Sequence, residues 1–189
     1  MTSECSLRPW RRTGTRTVHR DRWVHLRADA WITGGGTVLD PWYMLDWADW
    51  VHVVALTPDD RMVLVRQFRP GAGAAILELP GGMVEAHETD PVAAGQREFT
   101  EETGHAATGF RLVSTLRHDP AHAGNRLHVV LAEGAVSAGA QHLDSGEEIA
   151  VETLPVDTVL AGLAEGLVGN AGHVGAILLA LRAAGRIKF

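Results

Sequence analysis

The sequence of 189 residues contains a single cysteine, Cys5, which excludes an intrachain disulfide and a zinc cage built on thiolates. It has no long uncharged apolar run, so no segment reads as a membrane span. Arg8, Arg11, Arg12, Arg16 and Arg20 near the start are not followed by the apolar stretch of a signal peptide, and a cytoplasmic protein is expected. Repeats and coiled-coil heptads are absent, and 21 glycines with 8 prolines are too few and too aperiodic for a fibrous chain. Positive charge is outweighed, with 17 Lys and Arg against 23 Asp and Glu, and a net charge of -6 repels nucleic acid and anionic membranes. Neither is expected as a partner. An anionic small molecule would need local arginines or a metal to hold it.

What is present is a hydrophobic fraction of 46%, enough for one globular domain of ordinary size. All six tryptophans (Trp10, Trp23, Trp31, Trp42, Trp47, Trp50) lie in the first 50 residues, which sets that region apart. From about Thr17 to Trp47, aromatic and β-branched residues flank Gly34-Gly35-Gly36 and predict short strands around a turn. The expected organisation is an N-terminal β arm over 1–45 and a main domain over 46–189. An arm of that size cannot bury its own core and is expected to cover the body or a second copy of the chain. Val51–Leu56 and Met62–Val65, separated by Pro58-Asp59-Asp60, predict a buried hairpin. Leu127–Ala132 and Ile149–Leu154 predict further strands, and Val156–Ala164 and His173–Ala184 predict helices, the second strongly apolar. Strands mixed with a few helices indicate a layered α/β or α+β domain.

The chemistry concentrates on one more helix. Asp90 suits an N-cap, Pro91 the first helical position, and Gly104 a left-handed stop. On that helix Glu98 and Glu102 fall about 40° apart, with Glu101 about 60° to the other side of Glu98. Ala94 and Gly95 share the sector and are expected to leave room for an approaching group, while Val92, Phe99 and Thr103 face the other way and seal the helix to a sheet. Three like charges at this spacing destabilise a helix unless neutralised. Arg97 can pair with Glu101 at i+4 but not with all three, whereas Mg²⁺ takes carboxylate oxygens and bridges to phosphate. Taken alone, the acidic face fits a solvated surface as well as it fits a metal site.

The preceding loop, Leu77-Glu78-Leu79-Pro80-Gly81-Gly82, ends a predicted strand in a glycine turn where backbone atoms can approach a ligand. Gly82, Glu88, Arg97-Glu98-Phe99, Glu101-Glu102 and Gly104 together resemble the signature of the Nudix hydrolases: G, five residues, E, seven residues, then R-E-apolar-x-E-E-x-G. One departure is plain. Eight residues separate Glu88 from Arg97, which puts the placement of Glu88 in question but not the helix.

The resemblance implies a Nudix α/β/α sandwich with a mixed β-sheet and an N-terminal β arm. It implies that Glu98 and Glu102 hold Mg²⁺, or Mn²⁺ in its place, with Glu101 and the Gly81 carbonyl nearby. Gly82, Glu88, Arg97 and Gly104 would then be structural, Arg97 mainly orienting Glu101. Over about residues 40–185 the chain looks most similar to the ADP-ribose pyrophosphatase branch. Arg69 in Val65-Arg66-Gln67-Phe68-Arg69-Pro70 resembles a phosphate-contacting arginine, Pro120 lies 16 residues beyond Gly104 where the branch carries a proline, and Gly169-Asn170-Ala171 leads into a similar final helix. Arg69 and the last feature fit ordinary packing equally well. Trp47 or Trp50 would be placed to stack on adenine, although most tryptophans are core or interface. His118, His122 and His128 read as surface or packing residues rather than zinc ligands.

By alignment Ser145 stands where relatives carry a glutamate as general base. Within Asp144-Ser145-Gly146-Glu147-Glu148, Glu147 or Glu148 would have to substitute, or the metal would activate water without a protein base. The implied activity is Mg²⁺-dependent cleavage of ADP-ribose or a related nucleoside diphosphate sugar into a nucleoside monophosphate and a sugar phosphate, by a homodimer. A GDP-sugar or dinucleoside polyphosphate hydrolase is the nearest alternative. A Nudix module that binds a nucleotide without turnover is the alternative from another class, opposed by Glu98, Glu101 and Glu102 and mildly favoured by Ser145.

Overall fold

The structure is a computed structural model that describes residues 7–188, so Cys5 lies outside the described residues. The chain divides into two compact units, one drawn from the chain up to Trp47 with Arg117–Asn125, the other from Ala48–Leu116 and Arg126–Phe189.

The first unit contains an antiparallel sheet of β1 (Arg11–Arg20), β2 (His25–Ile32) and β3 (Val38–Leu45) in that order. It starts at Arg11, earlier than the Thr17 expected, because the polar, arginine-rich strand β1 carries no hydrophobic alternation to announce it. The Asp21 side chain accepts the Trp23 and Val24 amides to close the first turn, and Gly36, at φ 92°, closes the second. Every residue of β1 is exposed, and β2 buries only Ala28 and Asp29. Asp29 is compensated by Thr15 at 2.6 Å, by Arg27, and by Arg12 at 3.7 Å. The Trp42 indole N–H donates to the Ala121 carbonyl at 2.8 Å and its ring stacks on His122, which ties Arg117–Asn125 to this sheet.

The second unit is a mixed sheet. Its strands are β4 (Trp50–Leu56), β5 (Arg61–Arg69), β6 (Ala74–Glu78), β7 (Gly81–Met83), then after helix α1 (Pro91–Thr103) β8 (His105–Ala106), β9 (Arg111–Leu116), β10 (Leu127–Glu133), β11 (Val136–Ser137) and β12 (Ile149–Pro155). The order is β12-β5-β4-β10-β9, with β6 on β5, β7 on β4, and β8 and β11 paired apart. Among the described strand pairs of this unit, β4 and β10 run parallel and the others antiparallel. Helices α2 (Val156–Leu163) and α3 (Ala171–Ala183) complete it. Helix α3 begins two residues before the expected His173, because Asn170 accepts the Gly172 amide and caps it there.

Alternation along β4 separates two cores. Val51, Val53 and Ala55 face Ala94 and Phe99 of α1, whereas Val54 and Leu56 join Val156 and Val159 of α2 and Ala176, Ile177, Ala180 and Leu181 of α3. A sheet buried on both faces has strands that read as continuous apolar runs, as Val51–Leu56 and Met62–Val65 do. The expected α/β/α sandwich with a mixed sheet is therefore observed. No described helix is long and apolar enough to cross a membrane.

Helix α1 is bounded as expected, with Asp90 accepting the Val92 amide and Gly104 in the left-handed conformation at φ 63°. One expectation is corrected. Ala94 and Gly95 are buried against the sheet, where a Cβ on Gly95 would stand 3.0 Å from Val51 and 3.2 Å from Val53, so this sector brings helix and sheet close and leaves no room for a ligand. Phe99, fully buried, meets Phe110 edge-on at 6.0 Å. Phe99→Ala is expected to destabilise the domain by about 3–5 kcal/mol in urea unfolding, through lost burial and a residual cavity; a loss under about 1 kcal/mol would show that this helix is not held by its core face.

Candidate active site

The turn after β6 is shaped by two glycines. Gly81 has φ 148°, and a Cβ there would lie 2.1 Å from the Val51 carbonyl oxygen. A Cβ on Gly82 would lie 2.6 Å from the carboxyl carbon of Glu98. Only glycine lets the backbone pass between β4 and the acidic face of α1. The Gly81 N–H donates to Glu102 at 2.7 Å, and pairing of β7 with β4 pins the turn from the other side. Glu98 and Glu102 are thus brought together beneath Gly81–Gly82.

Arg97 organises the rim. It donates to Glu98 at 2.9 Å, to Glu101 at 3.0 Å and to both oxygens of Glu88 at 3.0 Å. Its guanidinium is held above the ordinary arginine range, foremost by hydrogen bonding to Glu88, and Glu88 is held below the ordinary carboxylate range by the same contact. Despite the extra residue between them, Glu88 reaches Arg97, and it also accepts the Glu85 amide. Arg97 therefore orients three carboxylates, not Glu101 alone.

Two residues that the sequence did not single out place the acidic loop. Gln141 donates to the carbonyls of Glu102 at 2.6 Å and Ile149 at 3.1 Å, and the His142 amide donates to the Glu101 carbonyl at 2.8 Å. The loop 141–148 is thereby tied to the end of α1. Half-buried Glu147 accepts the Asp144 amide and its charge acts on both Glu98 and Glu102, whereas Ser145 and Glu148 are exposed. No spacing rule predicts Gln141, because its partners come from another element.

Arg69 donates through Nε to buried Glu78 at 2.6 Å, and its charge reaches Glu102. Trp50, half-buried, opens β4. Trp47 and Pro120 belong to the first unit. His122 pairs with Asp119, and His128 bridges Thr115 and Asp49.

Burial pushes Glu102 up to about 8, the charges of Glu98 and Glu147 adding to it while the Gly81 N–H and Arg69 oppose it. Glu98 is likewise raised, chiefly by burial. Among the described residues no three His, Cys, Asp or Glu side chains already converge on one point, since Glu98 leans to Arg97 and Glu102 to the Gly81 amide. A hard divalent cation nevertheless suits this donor set: two carboxylates held out of water with less positive charge than they need, beside a backbone turn stripped of side chains. Glu98 and Glu102 would hold it, with Glu101 and the Gly81 carbonyl at the margin.

With the folded value of Glu102 above its unfolded value, the folded state binds the extra proton, so this group favours folding at low pH and that contribution is lost as pH rises toward the folded value. In chelator, stability is therefore expected to fall between about pH 5 and about pH 8, and Glu102→Gln to flatten that slope, as measured by urea midpoints. Added Mg²⁺ should restore stability at the upper end for the parent far more than for Glu102→Gln. An unchanged slope in the variant would remove Glu102 as its source.

A NUDIX domain model matches residues 47–172. An ADP-ribose pyrophosphatase of Bacillus subtilis (strain 168) is 32% identical over 111 residues, 58% of this chain and 60% of that protein. A methanol dehydrogenase activator of Bacillus methanolicus is 30% identical over 116 residues, covering 61% and 62%. These matches span about three-fifths of the relatives' own length. A solved structure described as an ADP compounds hydrolase superposes with a TM-score of 0.82 over 97% of this chain and 100% of that one, at 20% identity, a likeness of fold. The match takes in the Gly81–Gly82 turn, all of α1 and the acidic loop, and so the chain belongs to the Nudix family.

Proposed function

We propose that the protein is a Mg²⁺-dependent pyrophosphohydrolase that cleaves ADP-ribose or a related nucleoside diphosphate sugar into a nucleoside monophosphate and a sugar phosphate. The observation that carries this reading is the pair of carboxylates, buried Glu102 and half-buried Glu98, under the Gly81–Gly82 turn with Glu147 acting on both. Similarity to proteins named ADP-ribose pyrophosphatase in Bacillus subtilis and Mycobacterium tuberculosis supports the substrate class. Bound there, Mg²⁺ would neutralise charge on the diphosphate oxygens and make a water more acidic. The chain's own residues do the rest. Arg97 fixes Glu98 and Glu101, Arg69 offers its two terminal nitrogens to a phosphate, and Glu147, half-buried and acting by its charge on Glu98 and Glu102, would accept a proton from the attacking water. Glu148, being exposed, is the weaker choice of base, and Trp50, which opens β4 in the same unit, would offer a face to the adenine.

A second copy of the chain is the partner we assign to the N-terminal arm. The strand β1 is exposed along its whole length, and Trp10, Trp23, Val38 and Tyr43 are exposed beside it, more apolar surface and free strand edge than a solitary arm tolerates.

Incubation with ADP-ribose, GDP-sugars and dinucleoside polyphosphates, with and without Mg²⁺, and chromatography of the products tests the activity. ADP-ribose is expected to yield AMP and ribose 5-phosphate only when the metal is present; no cleavage of any diphosphate would leave a nucleotide-binding module instead. Glu98→Gln and Glu102→Gln are each expected to lower kcat by about two orders of magnitude or more, since each ~1.4 kcal/mol of lost transition-state stabilisation is tenfold. Glu147→Gln is expected to cost ~10²- to 10⁴-fold and Glu148→Gln little. Near parental turnover in both helix variants at saturating Mg²⁺ would refute the metal assignment. Deleting residues 1–40 is expected to give a monomer or an insoluble chain by light scattering, and a soluble dimer of unchanged stoichiometry would show that the arm does not hold the copies together.

A further inference from the structure

The hairpin of β5 and β6 carries a buried charge that neither the sandwich nor the carboxylate pair requires. Glu78, between buried Leu77 and Leu79 at the end of β6, is only 2% exposed. Its oxygens face two cations or donors: Arg69 Nε at 2.6 Å and His173 Nε2 at 3.8 Å. In register, Arg69 stands opposite Ala74 and Glu78 opposite Val65, so the arginine is laid back along one face of the hairpin to reach the carboxylate. His173, buried in the first turn of α3, accepts the Leu79 N–H through Nδ1 at 2.9 Å, which leaves its ring hydrogen on Nε2, toward Glu78.

We infer that Glu78, backed by His173, is a positioning residue that holds the Arg69 guanidinium for the substrate diphosphate, an inference that rests on the proposed reading of the site. A buried ion pair adds little stability compared with apolar side chains of the same volume, so stability alone does not account for this one. Its exposed end does. Arg69 is a long side chain, 46% exposed, that would otherwise sample many rotamers; fixing Nε leaves the two terminal nitrogens, which make no hydrogen bond among the described residues, in a defined place. The short segment 78–81 also sets the other half of the site. Glu78 holds Arg69, Leu79 is anchored to α3, and Gly81 reaches Glu102, so phosphate clamp and carboxylates share one rigid segment.

The test is a double-mutant cycle on the full chain, read as KM and kcat for ADP-ribose with melting temperatures recorded alongside. Arg69→Ala is expected to raise KM about tenfold or more, as loss of a charge-assisted phosphate contact does. Glu78→Gln should raise KM several-fold with kcat nearly kept, and should add almost nothing once Arg69 is alanine. Should Glu78→Gln fail to fold, Glu78→Asp replaces it, keeping the charge but withdrawing it from Arg69. A Glu78 variant with parental KM, or one whose effect on KM is the same in both backgrounds, overturns the inference and leaves a structural role. If the parent cleaves no ADP-ribose, the proposed activity fails by itself and the cycle is read as the Kd of ADP by calorimetry, where the same coupling is expected; additive effects, or no ADP binding by the parent, overturn the inference there.

Discussion

Two carboxylates of one helix are held out of water against a backbone turn, and much of the second unit serves to make that arrangement tolerable. Glu98 and Glu102 repel one another and are disfavoured by burial, as the rise of Glu102 to about 8 records. Three features offset the cost. The Gly81 N–H donates to Glu102, Arg97 spans Glu98, Glu101 and Glu88, and α1 is clamped to the sheet through Phe99, Ala94 and Gly95. Without that apolar clamp the helix could rotate its acidic face into solvent and relieve the repulsion. The tight packing of α1 and the reactivity of its opposite face are one constraint.

The sheet transmits this order in the other direction. Strand β4 lies between both cores, so its residues alternately meet α1 and α3 while its edge pairs with β7 at the glycine turn. Helix α3 contributes His173 to the Leu79 amide, and Gln141 fastens the acidic loop to the end of α1. Arg69 is therefore held by Glu78 of β6 and Glu102 by Gly81 of β7, while Arg97 holds Glu98 and Glu101 within α1, which keeps mutually repelling charges in place.

The first unit obeys other physics. Its sheet buries Ala28 and Asp29 in β2 but leaves β1 wholly exposed, and Thr15, Arg27 and Arg12 compensate the buried charge of Asp29. Such a sheet gains little from its own burial, and exposed aromatic and aliphatic groups on it make sense as surface to be covered.

Helix α1 was legible from sequence to its termini, because Asp90, Pro91 and Gly104 act locally through cap geometry and fixed backbone angles. The buried hairpin, β10, β12 and the final helices were legible from hydrophobic period, and the Nudix signature is a local string whose spacing survives translation into a helix face. Short β7, β8, β11 and polar β1 were not, since a strand of two or three residues or one without apolar alternation exists only by virtue of its partner. Helical angles alone suggested space at Ala94 and Gly95, and only the sheet showed that side to be packed, because a wheel gives direction without neighbours. The sequence by itself determined which residues carry charge and on which helix face they lie. Tertiary structure alone decided that Glu88 reaches Arg97 despite the extra residue, that the charge of Glu147 acts on Glu98 and Glu102, and that Glu78 grips Arg69, because each depends on distances across elements apart in the chain, which packing sets and spacing does not.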